Sequence, residues 1–210
     1  MTKREQRKKS KQTQVLENAR ALIQANGMTK LTMATLAKRM NASVGGLYRY
    51  FPSKEAIFAA LQSQALDALR QQIETTRSTF RSKNQLDWSL IEALFDSWTN
   101  FEASNPLNAL ILNQFTDTPQ PVLELGQRTQ IGTDILRIID LLADTITRLT
   151  QTGLLTQGTP HIRAFQLWGM IFGFAQLKRR QTRNISALPV AEVRSAYLMD
   201  LKKAWSVSSK

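Results

Sequence analysis

The chain has 210 residues, no cysteine, one histidine and a formal net charge of +12 at neutral pH. The missing cysteines exclude a disulfide framework and thiolate metal sites, and the length suffices for one or two domains with a helical core. The longest apolar run, LWGMIFGFA, falls far short of the roughly 18 residues needed to cross a bilayer, and the basic N-terminus lacks a signal peptide's apolar segment, so we expect a cytoplasmic protein without a membrane partner.

The positive charge is concentrated at the start of the chain. Residues 1–60 contain twelve Lys and Arg against three acidic residues. Such clustering is typical of a surface that binds a polyanion. The alternative is a solvated basic tail that only aids solubility.

The first segment divides into an arm and a helix. Residues 1–12 carry six basic residues and no hydrophobe beyond the first methionine, so we predict a disordered basic arm that cannot bury a core. Such an arm could lie along a DNA backbone or enter a minor groove. An apolar stripe then predicts a helix over residues 13–26, with Gly27 as the residue that ends it.

Two short helices joined by a tight turn follow. Residues 33–40 place apolar side chains on one helical face, and Thr32 is a good N-cap. Asn41 tolerates the left-handed conformation of a tight exit. Ser43 then caps a second helix that extends to about Tyr50, before Pro52 disfavours helical geometry. This arrangement is typical of a helix-turn-helix, whose second helix enters the DNA major groove.

These residues resemble the TetR family of bacterial transcriptional regulators over roughly residues 13–60. The family pattern has a helix ending in Gly, a Thr-capped helix with Leu-Ala, a turn, an aromatic segment and a Lys that begins a fourth helix. Here it reads Gly27, Thr32, Leu36-Ala37, Asn41-Ala42-Ser43, Leu47-Tyr48-Arg49-Tyr50-Phe51 and Pro52-Ser53-Lys54-Glu55. The resemblance implies phosphate contacts by Tyr48, Tyr50 and Lys54. The full predicted DNA-binding set is Thr32, Ser43, Val44, Gly45, Gly46, Tyr48, Arg49, Tyr50 and Lys54.

The start of the second helix departs from the family pattern. Val44, Gly45 and Gly46 supply almost no hydrogen-bonding side chain where family members read bases. The double glycine either weakens the helix start or lets the backbone approach DNA closely. We favour the close approach, because alanine would serve folding better. We therefore expect sparse direct base readout and a preference that depends partly on DNA shape.

The rest of the chain is predicted to be helical. A helix over residues 53–76, capped by Ser53, links the DNA-binding domain at 13–58 to the region 59–210, and residues 77–86 form a polar connection. Further helical patterns cover residues 87–102, 106–115, 120–152, 160–180 and 189–206. The sequence thus predicts an all-α fold of about nine helices, without a strand signal.

The resemblance implies that residues 59–210 bind an effector and form a homodimer. A segment such as Leu167-Trp168 followed by Gly173 resembles the family's dimer-forming helix, although close packing within one subunit is an alternative. The predicted dimer interface is Phe165, Gly169, Phe172, Gly173 and Leu198. The predicted pocket for an unknown, largely apolar small molecule is Phe95, Trp98, Leu110, Phe115, Ile135 and Trp168.

No enzymatic site or cofactor is predicted. The sole histidine, His161, has no second histidine to share a metal ion with, and Asp140 and Asp144 are expected on a solvated helix face. The resemblance to the TetR family implies a homodimeric repressor on double-stranded DNA with a palindromic operator, controlled by an effector. The alternative is a sequence-independent or architectural DNA-binding protein without an effector.

Overall fold

The computed structural model describes residues 2–83, 86–117, 125–182 and 189–207. These residues contain ten α-helices, one short 3-10 helix at Met28–Lys30 and no β-strand. The all-α prediction is confirmed. In chain order the helices are α1 (Lys3–Asn26), α2 (Met33–Arg39), α3 (Val44–Tyr48), α4 (Lys54–Ser82), α5 (Trp88–Phe95), α6 (Ser97–Ser104), α7 (Pro106–Asp117), α8 (Leu125–Gln151), α9 (Pro160–Thr182) and α10 (Val190–Trp205).

The predicted disordered arm is wrong, because α1 begins at Lys3. The Thr2 side chain accepts a hydrogen bond from the Glu5 backbone, and the Glu5 carboxylate accepts one from the Thr2 backbone. This capping box starts the helix. Residues 3–12 lack Gly and Pro and consist mainly of Lys, Arg, Gln and Glu, which favour helices. The helix therefore needs no buried face in its first turns.

Two further boundaries differ from the prediction. α4 continues to Ser82, into the predicted polar connection, because residues 77–82 contain no Gly or Pro to end the helix and include two Arg residues, which favour it. The single helix predicted over 87–102 is two helices that meet at Asp96. The predicted helix start at residue 120 lies outside the described residues.

The chain forms two compact units. The first contains Met1–Asp67 and Pro106–Asp134, and the second contains Ala68–Asn105 and Ile135–Lys210. The sequence-based division after residue 58 therefore differs from the observed one, since α7 and the start of α8 belong with the helix-turn-helix. The assignment of α7 and the start of α8 to the first unit depends on contacts between residues far apart in sequence, which local sequence patterns do not reveal.

The first unit is built around the apolar stripe predicted for α1. Val15, Ala19 and Ile23 are buried, as are Leu36 of α2 and Leu47 of α3. Gly27 ends α1 at a φ of 78°, a left-handed conformation that favours glycine.

The second unit has an aromatic core. Phe95 and Phe174 have ring centroids 5.4 Å apart, and Trp98 lies 5.1 Å from Phe172. Asp96, between α5 and α6, accepts a hydrogen bond from Arg194 Nε at 2.7 Å. That hydrogen bond raises the pKa of the Arg194 guanidinium above its usual value. This pair ties α10 to the junction where α5 ends.

Among the described residues, no helix combines the length and the apolar character needed to cross a membrane.

Candidate nucleic-acid interface

α2 and the turn after it fix the geometry of the helix-turn-helix. Thr32 caps α2 by accepting a hydrogen bond from the Thr35 backbone at 3.0 Å, and the Thr35 hydroxyl accepts one from the Thr32 backbone. Asn41 has a φ of 49°, the left-handed conformation predicted for the turn. The Ala42 backbone donates to Ala37 O at 3.0 Å. The chain therefore leaves α2 sharply and begins α3 at once.

α3 is anchored on one side and open on the other. Ser43 Oγ accepts a hydrogen bond from the Gly46 backbone at 3.0 Å, as expected for an N-cap. Leu47 is buried, whereas Val44 is 38% exposed and Tyr48 is 50% exposed. The exposed side thus presents the predicted DNA-binding residues of this helix.

The two glycines of α3 differ in the space around them. A Cβ atom built on Gly45 would meet nothing within 4 Å, and one on Gly46 would lie 3.1 Å from Ser43 Oγ. Folding of the described residues therefore does not require glycine at position 45. This supports the interpretation that the absence of a side chain at Gly45 serves a close approach of the backbone to DNA.

The predicted DNA-binding residues that follow α3 are Arg49, Tyr50 and Lys54. Arg49 is exposed and Tyr50 is half-buried. Gln12 Nε2 donates to Tyr50 O at 3.2 Å, so α1 holds the end of this segment. Lys54 is exposed in the first turn of α4, where Ser53 Oγ accepts a hydrogen bond from the Ala56 backbone at 3.1 Å. The positive end of a capped helix attracts phosphate.

The predicted effector-pocket residues differ in their surroundings. Phe95 and Trp98 are almost completely buried in the second unit, and Trp168 lies 4.6 Å from Phe172, which also contacts Trp98. Ile135 is half-buried. Leu110 is 43% exposed, so it lacks the buried environment expected of a pocket wall. The side chain of Phe115 lies outside the described residues.

Two buried polar groups were not identified from the sequence. The Gln62 amide is 1% exposed, and neither its nitrogen nor its oxygen has a hydrogen-bond partner among the described residues. Trp98 Nε1 is also buried without such a partner. Gln62 lies on the apolar stripe of α4 with Phe58 and Leu66, and this position was the available signal. Buried polar groups normally find partners.

The predicted dimer residues divide between the surface and the core. Phe165 is 50% exposed and Gly169 and Gly173 are exposed along the same face of α9. Leu198 is only 6% exposed, so it packs within its own subunit. Phe172 is half-buried against two tryptophan rings. Helical spacing alone could not tell which side of each helix faces its own core.

Asp140 and Asp144, the carboxylates predicted to be solvated, both have side-chain partners. Asp144 accepts a hydrogen bond from Arg77 of α4 and one from Arg148 Nε at 3.1 Å. Asp140 lies 3.1 Å from His161 Nε2, and both side chains are largely exposed. Within the described ranges, no group of three or more potential metal ligands is found.

A family model described as bacterial regulatory proteins of the tetR family matches residues 15–61. This range covers α2, the turn, α3 and the start of α4. It includes every predicted DNA-binding residue.

The chain also resembles a curated protein over part of its length. It is 33% identical over 99 residues to the nucleoid occlusion factor SlmA of Actinobacillus pleuropneumoniae serotype 5b (strain L20). The match covers 47% of this chain and 47% of that protein, so this chain spans about half the length of the relative.

Two solved structures share the fold over nearly the whole chain. A protein of unknown function from Rhodococcus sp. RHA1 has a TM-score of 0.69 and 17% identity, covering 93% of this chain and 95% of that one. The transcriptional regulator FadR from Bacillus subtilis, in complex with stearoyl-CoA, has a TM-score of 0.64 and 17% identity, covering 90% and 96%. At these identities the likeness concerns the fold alone.

Proposed function

Because this chain belongs to the tetR family of bacterial regulatory proteins and is a DNA-binding regulator, we propose that it acts as a homodimeric transcriptional repressor. The repressor occupies a palindromic operator in the cytoplasm. Binding of a small, largely apolar effector releases it. The effector does so by favouring a separation of the two recognition helices that no longer fits successive major grooves.

The observation that carries this proposal is the exposed side of α3. Leu47 fixes the helix from within while Tyr48 and Val44 lie exposed, and Lys54 begins the capped helix that follows. Tyrosine hydroxyls and lysine ammonium groups are donors that position a protein on phosphates. The Val-Gly-Gly start adds few base contacts, so we expect a small number of specified base pairs in each half-site.

A second copy of the chain is the proposed partner of α9. Ile162 and Phe165 are exposed on the helix face that continues through Gly169 and Gly173. A Cβ atom at either glycine would meet nothing within 4 Å, so packing within the subunit does not require them. A flat stripe with large apolar side chains at one end suits close packing against another helix. Met199 of α10, which is also exposed, replaces Leu198 in the proposed interface.

The proposed effector is apolar with at least one hydrogen-bonding group. In the second unit, the buried Trp98 indole N–H lacks a partner among the described residues, and a bound ligand would supply a hydrogen-bond acceptor. Leaving such a group unsatisfied costs about 1–3 kcal/mol. Acyl-coenzyme A esters, whose acyl chain would supply the apolar part and whose thioester carbonyl would supply an acceptor, are the first compounds to test, since the FadR structure contains stearoyl-CoA.

Selection of bound duplexes from a random pool tests the proposal. We expect an inverted repeat with half-sites about 34 Å apart. The selected duplex should compete at least a thousandfold better than random DNA at fixed salt. Addition of acyl-coenzyme A esters at micromolar concentration should then release it. Enrichment of no sequence would contradict the repressor proposal.

The second candidate is a DNA-binding protein that acts without an effector and with little sequence preference. The Val-Gly-Gly start of α3 favours it, and a nucleoid occlusion factor is among the relatives. The same competition experiment separates the two candidates. Equal competition by selected and random duplexes, with no release by any ligand, would support the second.

A further inference from the structure

The first turns of α1, residues 3–12, form a helical overhang whose side chains are exposed except at Gln12. The face that α1 buries continues into this overhang as a basic stripe. Arg4, Lys8 and Lys11 precede Val15 and Ala19 at spacings of three or four residues, which places all five on one side of the helix. Val15 and Ala19 lie in the core of the first unit. The basic stripe therefore faces the side of α1 on which α2 and α3 lie.

A groove lies between this overhang and the end of α3. We call it the α1 groove. It encloses about 1150 Å³ and continues into a smaller section of about 370 Å³ that reaches the turn before α3. The two sections share Lys11, Arg49 and Tyr50. One continuous depression thus connects the overhang with Gly46 of the recognition helix.

The α1 groove is strongly basic. Its cationic lining residues are Arg4, Arg7, Lys8, Lys11 and Arg49. The acidic residue that lines it is Glu5, whose carboxylate accepts a hydrogen bond from the Thr2 backbone at 2.6 Å and so stays at the helix start. Five cations against one carboxylate form a site for a polyanion.

The overhang is held at a defined distance from α3. Gln12 Nε2 donates to Tyr50 O at 3.2 Å, and the helix continues without a break from Lys3 into the buried part of α1. The cations are therefore displayed in a fixed register. Binding by a preformed helix avoids the ordering entropy that a disordered arm would lose.

We propose that the α1 groove binds the sugar-phosphate backbone of one DNA strand that flanks the major groove entered by α3. This proposal rests on the function proposed above. Arg4 and Lys11 are about 10 Å apart along the helix axis at 1.5 Å per residue. That length corresponds to about three phosphate-to-phosphate steps of one strand, each of which rises roughly 3.4 Å along the duplex axis. The groove adds phosphate contacts that are independent of base sequence.

Matched charge variants test the groove. Lys8→Gln/Lys11→Gln removes two groove cations, and the control Lys3→Gln/Lys9→Gln removes two cations of the same helix that do not line it. The probe is a random-sequence duplex of about three helical turns, titrated by fluorescence anisotropy at several salt concentrations. We expect the groove variant to bind on the order of tenfold more weakly. The slope of log K against log salt should be smaller by about 1.8 for each subunit that contacts the duplex, at 0.9 for each lost contact. The control variant should keep the wild-type slope.

A helix-breaking variant separates the groove from a flexible basic arm. Ser10→Pro keeps every cation but disrupts the helix that positions them, and Ser10→Ala is its control. We expect the proline variant to lose affinity as the charge variant does. Wild-type affinity and slope for Ser10→Pro, or equal losses in the two charge variants, would overturn the groove. If the wild-type protein binds no duplex at all, the proposed DNA-binding function itself fails. If the wild-type protein binds DNA and both charge variants bind equally well, the groove proposal fails and the proposed DNA-binding function stands.

Discussion

Arg20 Nη2 of α1 donates a hydrogen bond to Asn108 Oδ1 of α7, across 88 positions of sequence. Asn108 is buried, and burial lowers the pKa of the Arg20 guanidinium from its usual value. Both residues belong to the first unit. The pair therefore joins α7 to the helix that supports the helix-turn-helix, and a shift of α7 would act directly on α1.

The Arg20 pair should contribute to stability. We expect Arg20→Ala and Asn108→Ala each to lower the free energy of unfolding by about 1 kcal/mol, the ordinary scale for a hydrogen bond with a partly exposed charged group. The double variant should cost less than the sum, because each single change already breaks the bond. Urea denaturation measures all three. If the double variant loses as much free energy of unfolding as the two single variants together, the two side chains do not interact.

Gly45→Ala should separate folding from DNA binding. The structure offers space for the methyl group, and alanine favours a helix by about 0.5–1 kcal/mol over glycine. Stability should therefore rise slightly while affinity for the selected operator falls by about tenfold, or 1.4 kcal/mol. The control is Gly132→Ala in α8, where a Cβ atom also meets nothing within 4 Å. That variant should gain stability without losing DNA affinity. Unchanged binding by Gly45→Ala would argue against a close approach of this backbone to DNA.

Phe165→Asp should dissociate the proposed homodimer without unfolding the subunit. The side chain is 50% exposed in the single chain, but an aspartate buried in an interface would lack a partner. We expect the dimer dissociation constant to rise by about a hundredfold or more, close to 3 kcal/mol, in sedimentation equilibrium. Val207→Asp, at a position exposed to 52%, should leave the dimer intact. If Phe165→Asp has the wild-type dimer dissociation constant, the interface does not lie on this face of α9.

The helix-turn-helix could be predicted from sequence because its signals are local. Thr32 and Ser43 are caps that act within three residues, and Asn41 adopts its left-handed conformation through its own short side chain. Gly27 acts in the same way at the end of α1. Each of these residues determines its neighbours' geometry without help from the rest of the chain.

Other features depend on distant partners or on competing propensities. The junction of α5 and α6 lies at Asp96, which is bound by Arg194 of α10, and Arg77 is buried against Asp144 of α8. Neither pairing leaves a periodic signal. The overhang of α1 was predicted to be disordered because it lacks hydrophobes, although its residues favour a helix. The position of Gln62 on the apolar stripe of α4 indicates burial, but the local pattern does not report whether its amide finds a partner among the described residues.

The most direct test of the account is the affinity of Tyr48→Ala/Lys54→Ala for the selected operator. Lys203→Ala of α10 serves as a charge control. Circular dichroism and sedimentation verify the fold and the dimer state of each variant. The account predicts that the double variant binds about a hundredfold more weakly, from two lost charge-assisted phosphate contacts of about 1.5 kcal/mol each, while Lys203→Ala binds like the wild type. Wild-type affinity in a folded, dimeric Tyr48→Ala/Lys54→Ala protein would contradict the assignment of this surface to DNA.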